Sequence, residues 1–430
     1  MEIVRNMALW RQLRSPGTAL LLVALGFTLV RSDTQPALVV HVGTSASIVP
    51  GDVAAAALAL GAAWALVRHG VPRQAWPVLA SGVVFCLLVL LTAAVNGAAS
   101  FVAGAKMVEL AALALGAIAF VRTRATLEAV VDVLLIATVT ADIWGGIEFL
   151  RAGGGRQAAF LGEHELAALG TLPLVYGLVL AESRRRNARA VLTIVAGGLA
   201  CILGASLATL LGLWLAAAVF LGAMLLRRSL TRRTLAVTVL AVGLVTAGTA
   251  EIRSGAFGFL QVLAGKQESR PSEFAGSWSQ RLIYTYVDGR VFLAHPVLGT
   301  GWYSLLPPRE WTMYLPDTKR RFHDEPANYF PHPDQPLVPQ QAYDQVLSQL
   351  GGVGFAVFVA MLGSVALASW RAARRTPGLV GDIPAAWFAG GLGAIAGEAF
   401  FGGSPLTALW WLAVGAAPAL ATISAAHEPE

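Results

Sequence analysis

Long apolar runs separated by short, arginine-bearing segments make up most of the chain. A bilayer core about 30 Å thick takes roughly 20 helical residues to cross. Runs of that order recur near 16–30, 50–67, 76–95, 101–120, 127–147, 163–181, 190–205, 207–226, 234–250, 347–370, 384–401 and 405–422. They are continuous, which suits helices; a membrane β-barrel needs alternation. The expected fold class is therefore an all-α polytopic membrane protein with about 12 transmembrane helices. The stretch 190–226 is too long for one span, and Gly204, Ser206 and Gly212 offer places to turn, so it is read as two. The run 36–49 is short for a crossing and is read as interfacial.

Composition agrees with this pattern. Hydrophobic residues make up 56% of the chain and charged residues 13%, against about 25% charge in soluble domains. The distribution of arginine then sets the sides. With the N-terminus inside, the inner segments hold Arg5, Arg11 and Arg14; Arg68 and Arg73; Arg122 and Arg124; Arg184, Arg185, Arg186 and Arg189; Arg227, Arg228, Arg232 and Arg233; and Arg371, Arg374 and Arg375. The short outer loops hold only Arg31, Arg151 and Arg156. Cytoplasmic loops carry such an excess. Merging 190–226 into one span would put the 227–233 cluster outside, so the bias favours twelve spans with both termini cytoplasmic. The net charge of +6 arises from these inner arginines and gives no sign of nucleic-acid binding. Without a small-residue cleavage site after it, the run 16–30 reads as a retained anchor. Cys86 and Cys201 both fall inside spans, which excludes a disulfide-stapled outer domain.

The expected organisation is a nine-span bundle over 1–250, a large outer loop over 251–346 between helices 9 and 10, and three spans in 347–430. A connection this long is uncommon unless it is functional or disordered, and its Tyr and Trp content argues against full disorder. Within it, "SQRLIYTYVDGRVFLA" at 279–294 predicts an amphipathic helix with Leu282, Tyr286, Gly289 and Leu293 on one stripe. Arg281 and Arg290 flank that stripe on opposite sides, and "HPVLGTG" then supplies a Pro stop and glycines for a tight return. Prolines in 302–341 forbid one long helix and suggest an extended cover with aromatic anchors. Lys319, Arg320 and Arg321 suit either phosphate or solvent, and the solvated reading is favoured. His323 and His332 have carboxylates nearby but no zinc-site spacing, so no metal and no cofactor is expected. Asp344, Gln345, Ser348 and Gln349 sit at the mouth of the next span and need partners or a cap.

Charges also fall within the spans. Lys106 and Glu109 are three apart and can pair on one face. Asp132, Asp142 and Glu398 point to structural pairing inside the bundle, though a transporter would carry such charges too. "RQAAFLGEHELAA" at 156–168 crowds Arg156, Glu163, His164 and Glu165 at one helix start, where His164 either titrates near neutral pH or caps the helix.

Together these pieces resemble the O-antigen ligase and polymerase family of polytopic membrane glycosyltransferases, of GT-C type. The family's first motif runs from an Arg through a Phe to Pro-Asn; Arg156 and Phe160 keep it, while Glu163 and His164 stand at the Pro and Asn. The second matches well, through Arg281, Arg290, His295, Pro296, Leu298, Gly299 and Gly301. In the third, Tyr343, Gln345, Gly351 and Gly354 fit, but Gln340 replaces the usual histidine and Gln349 the usual glutamate.

The resemblance implies transfer of a glycan from a polyprenyl-diphosphate-linked donor to a hydroxyl acceptor, itself a glycan or a lipid. The reaction would run at the outer leaflet of the bacterial cytoplasmic membrane, with inversion and without metal. Arg281, Arg290 and Arg156 would hold the diphosphate, since arginine pairs with phosphate oxygens and stays ionised. His164, His295 and Gln345 would support them. Gln340 has no basic site, so Asp344 and His332 are the first candidates for the missing base. Two rivals remain open: a transporter or flippase, against which stands the lack of a repeat between halves, and an inactive membrane scaffold.

Overall fold

The computed structural model describes residues 12–42, 46–182, 187–253, 273–376 and 378–425. Arg5, Arg11, Arg184, Arg185 and Arg186 of the predicted inner clusters, and residues 254–272 of the predicted loop, lie outside these ranges.

The main helices are α1 (Pro16–Thr28), α2 (Pro50–His69), α3 (Trp76–Val95), α4 (Ala98–Glu109), α5 (Ala112–Phe120), α6 (Arg124–Ala152) and α7 (Glu163–Glu182). They continue as α8 (Asn187–Gly204), α9 (Leu207–Leu226), α10 (Arg232–Ile252), α11 (Glu273–Ala294), α12 (Ala342–Arg375), α13 (Leu379–Ile395) and α14 (Pro405–Ala425). Among the described residues, 9 helices are long and apolar enough to cross a membrane, α4 and α5 counting as one, and α1, α8 and α13 are shorter apolar helices. The chain is an all-α polytopic membrane protein. Large side chains such as Leu60, Trp64, Val67, Val95 and Leu244 stand exposed on its flanks, as a bilayer-facing surface requires.

Lipid offers no hydrophobic drive between helices, so close packing of small residues must hold them together. On α7 a Cβ at Gly170 would strike the Gly197 carbonyl of α8, and one at Gly204 would strike the Glu163 carbonyl. Gly212 on α9 meets Gly390 and Gly393 of α13 in the same way. Gly212 is thus a packing residue, and the predicted turn in 190–226 falls between Gly204 and Ser206, at Ala205, which has φ 42°. Ser206 then caps α9 by accepting a hydrogen bond from the Thr209 N–H at 3.3 Å.

The run 36–49 contains an antiparallel pair, Val39–Val42 with Ala46–Ile48. Two sequence expectations need correction. Lys106 forms an ion pair with Asp52 of α2 at 2.8 Å, and Glu109 hydrogen-bonds to the same carboxylate. A partner 54 residues away leaves no mark in the local spacing. On α11 the deeply buried face is Ile283, Val287 and Val291, while Leu282 and Leu293 are exposed.

That buried face explains the cover. Val287 and Val291 pack with Leu306, Trp311, Leu315 and Leu337 into a small second core. Two short helices, Pro308–Trp311 and Leu315–Arg321, and a bridge between Leu306 and Leu337 build it. The Pro-rich stretch is therefore folded, with Trp302 and Trp311 fully buried.

The Pro/Gly corner has a precise seat. Gly351 has φ 62°, ψ −164° and breaks α12. The corner enters the break: the N–H groups of Thr300 and Gly301 donate to the Ser348 and Gln349 carbonyls, and those of Gly352 and Val353 donate to the Pro296 and Val297 carbonyls. Backbone groups opened by the kink are thereby satisfied, as low-dielectric surroundings demand. Asn96, just past α3, donates to the carbonyls of Thr300 and Trp302 at 3.2 and 3.4 Å. Replacing Asn96 by Ala should cost about 1–2 kcal/mol for these bonds, read as a lower denaturation midpoint in detergent with the helix content unchanged.

Candidate functional site

One face of α11 builds the site. Arg281, Thr285 and Asp288 stand at i, i+4 and i+7, so they line up toward α12. Their partners descend α12 in step. The Arg281 guanidinium donates to the Gln340 carbonyl (Nη1, 3.4 Å) and to the Gly397 carbonyl (Nη2, 3.0 Å). The Thr285 hydroxyl donates to Asp344 Oδ2 at 2.6 Å, and Gln341 Nε2 donates to the Thr285 hydroxyl at 3.2 Å. Asp288 lies one turn further on, beside Ser348 and Asp344.

Arg281 is half-buried, and no carboxylate lies within ion-pair distance of it among the described residues. Burial, and then the nearby Arg156, hold its pKa below the ordinary arginine value, while Glu398 pulls the other way. Arg156 approaches from the loop before α7. Its Nη1 pairs with Glu163 at 2.6 Å and its Nε donates to the Gly204 carbonyl at 3.3 Å. Its Nη2 is buried with no hydrogen-bond partner among the described residues. His164 Nδ1 meets the Ser206 hydroxyl at 2.8 Å, and Arg156, Arg281 and Arg253 all act electrostatically on His164. Glu165 acts electrostatically on Glu398, and Arg31 acts on both. The result is a region of mixed charge in which Arg281 and the Arg156 Nη2 keep donor groups to spare among the described residues.

Not all predicted residues meet there. Arg290 sits on the opposite side of α11, its side chain 43% exposed, paired with Asp317 at 3.7 Å and lying over the Tyr314 ring. The His332 side chain is 61% exposed; its Nδ1 accepts from the Asp334 N–H at 3.4 Å and lies 3.9 Å from the Asp334 carboxylate. His295 is exposed, and its backbone starts the corner. Gln340 contributes its carbonyl to Arg281, while its exposed side chain donates to the Val338 carbonyl. Gln345 is a fully buried clamp: its amide donates to the Ser304 and Phe400 carbonyls and its oxygen accepts from the Phe400 N–H. Gln349, at the family's glutamate position, accepts from the N–H groups of Tyr303 and Ser304 and donates to the Ser304 carbonyl. Arg320 pairs with Asp317 at 2.6 Å and Arg321 lies over Tyr286, so that basic cluster belongs to the surface.

Sequence reasoning missed Asp288, which is 2% exposed and lies beside the Ser348 hydroxyl. The Ser348 hydroxyl beside it is donated to the Asp344 carbonyl. Burial, and then the Asp344 charge, raise the Asp288 pKa well above the usual carboxylate range, while the Ser348 hydroxyl pulls the other way. The signal was present: Asp288 is seven residues after Arg281, on the same helical face.

These features define a polytopic helical membrane protein with a folded cover that presents buried cationic groups at the mouth of its bundle. A sequence model of the O-antigen ligase family matches residues 192–359, which include Arg281, the corner and the broken start of α12. That match, over less than half of the chain, supports an assignment to the O-antigen ligase and polymerase family and agrees with the motifs. No curated protein matches the chain.

Proposed function

We propose that this protein is a glycosyltransferase of the cytoplasmic membrane. It moves a glycan from a polyprenyl diphosphate to a hydroxyl of a glycan or lipid acceptor, with inversion and without metal. In this reading the chain crosses the membrane twelve times, with both termini cytoplasmic and the cover outside. The observation that carries the reading is the half-buried Arg281 guanidinium, held among the described residues by two carbonyls and no carboxylate, next to Arg156, whose buried Nη2 has no hydrogen-bond partner among those residues. The two guanidiniums have one paired carboxylate between them, Glu163 on Arg156, and a diphosphate supplies further negative charge. A glycosyl diphosphate already has a good leaving group, so neutralising that group and orienting the acceptor are the main requirements. Asp344, one helical turn beyond the Arg281 contact, takes the role of base.

A binding experiment without acceptor tests the anion site. Protein in lipid nanodiscs is titrated with polyprenyl diphosphate. Arg156→Ala should weaken binding about tenfold, the value of one charge-assisted bond of roughly 1.5 kcal/mol, whereas Arg290→Ala should change it by less than about threefold, as for an exposed pair. Equal effects of the two substitutions would move the site to the other face of α11.

A further inference from the structure

We propose that the end of the bundle away from the cover binds the head group of an anionic glycerophospholipid, with Arg73 and Arg122 holding its phosphate. The site stands apart from Arg281 and does not depend on glycan transfer.

Its position follows from α3. Just past the last turn of that helix, Asn96 donates to the Thr300 and Trp302 carbonyls of the corner and cover. The helix is 20 residues long, about 30 Å, so its first residue, Trp76, marks the opposite end of the bundle. There a cavity of about 300 Å³ opens between the α2–α3 loop, the α5–α6 loop and the end of α14. That volume is at the lower end of the range for small-ligand sites. His69, Arg73, Gln74, Arg122 and Thr422 line it, and no aspartate or glutamate does so among the described residues.

The two arginines come from loops far apart in sequence, and helix packing brings both to one cavity. Arg122 is preset: its Nε donates to the Ala119 carbonyl at 2.9 Å, which leaves the Nη groups for a ligand. Other arginines at this end have anions of their own. Arg124 pairs with Glu128 at 3.1 Å, Arg189 with Asp132 at 2.6 Å and Arg227 with Asp382 at 2.7 Å. No carboxylate pairs with Arg73 or Arg122 among the described residues. A concave seat with two guanidiniums and no anion of its own suits phosphate, whose oxygens match the arginine fork.

The surroundings favour a lipid over a soluble phosphate. On α2, Leu60, Trp64 and Val67 stand at i, i+4 and i+7, on one face, and all three are exposed. This apolar stripe ends just before His69, which lines the cavity. Trp76 opens α3 just past Arg73 and is exposed as well. Exposed tryptophan marks the level of lipid head groups. A phosphate held by Arg73 and Arg122 therefore sits at head-group depth, with an apolar helix face close by for an acyl chain. Basic pockets between membrane helices hold acidic phospholipid head groups on the same principle.

The probe is dioleoyl-phosphatidylglycerol, titrated against the full chain in a neutral detergent, with bound lipid counted by native mass spectrometry. Wild type should bind it about tenfold or more tightly than dioleoyl-phosphatidylcholine, whose head group has no net charge. Arg73→Ala should weaken phosphatidylglycerol binding about tenfold, the worth of one charge-assisted bond, and Arg73→Ala with Arg122→Ala about 100-fold. Arg232→Ala with Arg233→Ala removes the same charge from exposed positions at the start of α10 and should change binding by less than about threefold. If loss of the Arg122 contact to Ala119 prevents folding, Arg122→Lys replaces the alanine: it keeps the charge without the fork, and wild-type affinity in that variant would count against the site. Glycerol 3-phosphate tests the other source of the same chemistry. In large excess it should leave the lipid bound; displacement would make this a site for a soluble phosphate and overturn the lipid assignment. Equal binding of the two lipids, or equal losses in the two double variants, would reduce the cavity to a solvated basic surface.

Discussion

Replacing Arg281 by alanine is expected to lower the rate of glycan transfer by about 100- to 1,000-fold, the range seen when a preorganised donor to developing negative charge is removed. The argument starts from its seat. The guanidinium is fixed by carbonyls from two separate segments, Gln340 before α12 and Gly397 after α13. Carbonyls orient the group without neutralising it, so its charge is left for a ligand. Arg156, also acting on His164, brings a second cation to the same place. Lysine at 281 keeps the charge but has no planar fork to reach both carbonyls while holding a phosphate oxygen. Arg281→Lys should therefore fall between wild type and alanine, with a larger loss in kcat than in donor affinity. Protein amount and helix content must match wild type for the comparison to hold. Wild-type turnover in Arg281→Ala would remove the central support for a diphosphate site.

The sequence made some of this legible and hid the rest for physical reasons. Apolar runs report burial in lipid directly, so the helices α2, α3, α6, α7, α9, α10, α12 and α14 fall where the runs lie. The motif "HPVLGTG" announces a tight corner, but its receptor is the break at Gly351, more than 50 residues on, and only folding joins them. Arg281 and Arg290 look equivalent in one dimension. Helix geometry puts one against α12 and the other against Asp317 on the cover. Asp288 was overlooked because an acidic residue in an amphipathic helix usually faces water, and here a second core covers the other side of the helix. Local spacing suggested Lys106 with Glu109, yet the shorter path runs between helices to Asp52. In each case the missing information is a contact between distant segments, which periodicity does not encode.

The corner itself carries the other large effect. Gly299 and Gly351 both have positive φ, 66° and 62°, and each approaches the other's backbone. A Cβ on Gly299 would strike the Gln349 backbone and the Gly351 nitrogen, and one on Gly351 would strike the Gly299 nitrogen and the Val297 backbone. Alanine at either position faces a positive-φ conformation, at Gly351 one essentially reserved for glycine, costing on the order of 1–3 kcal/mol, and a clash costing a further 1–3 kcal/mol or so. Neither backbone can retreat, because the four hydrogen bonds that close the joint run through the clashing residues' neighbours. Gly299→Ala and Gly351→Ala should each destabilise the protein by roughly 2–6 kcal/mol. Gly289 is the control: it is helical, on α11, with nothing within 4 Å of an added Cβ. Alanine there should stabilise by up to about 1 kcal/mol through helix propensity. Since the joint sets where α11 leaves α12, opening it also displaces Arg281 from the Gln340 and Gly397 carbonyls. The alanine variants that still fold should therefore lose transfer activity out of proportion to their loss of folded protein. The measurement is unfolding in detergent alongside turnover per folded molecule. Gly299→Ala with stability and turnover like those of Gly289→Ala would show that the corner is not the hinge on which the arginine site is hung.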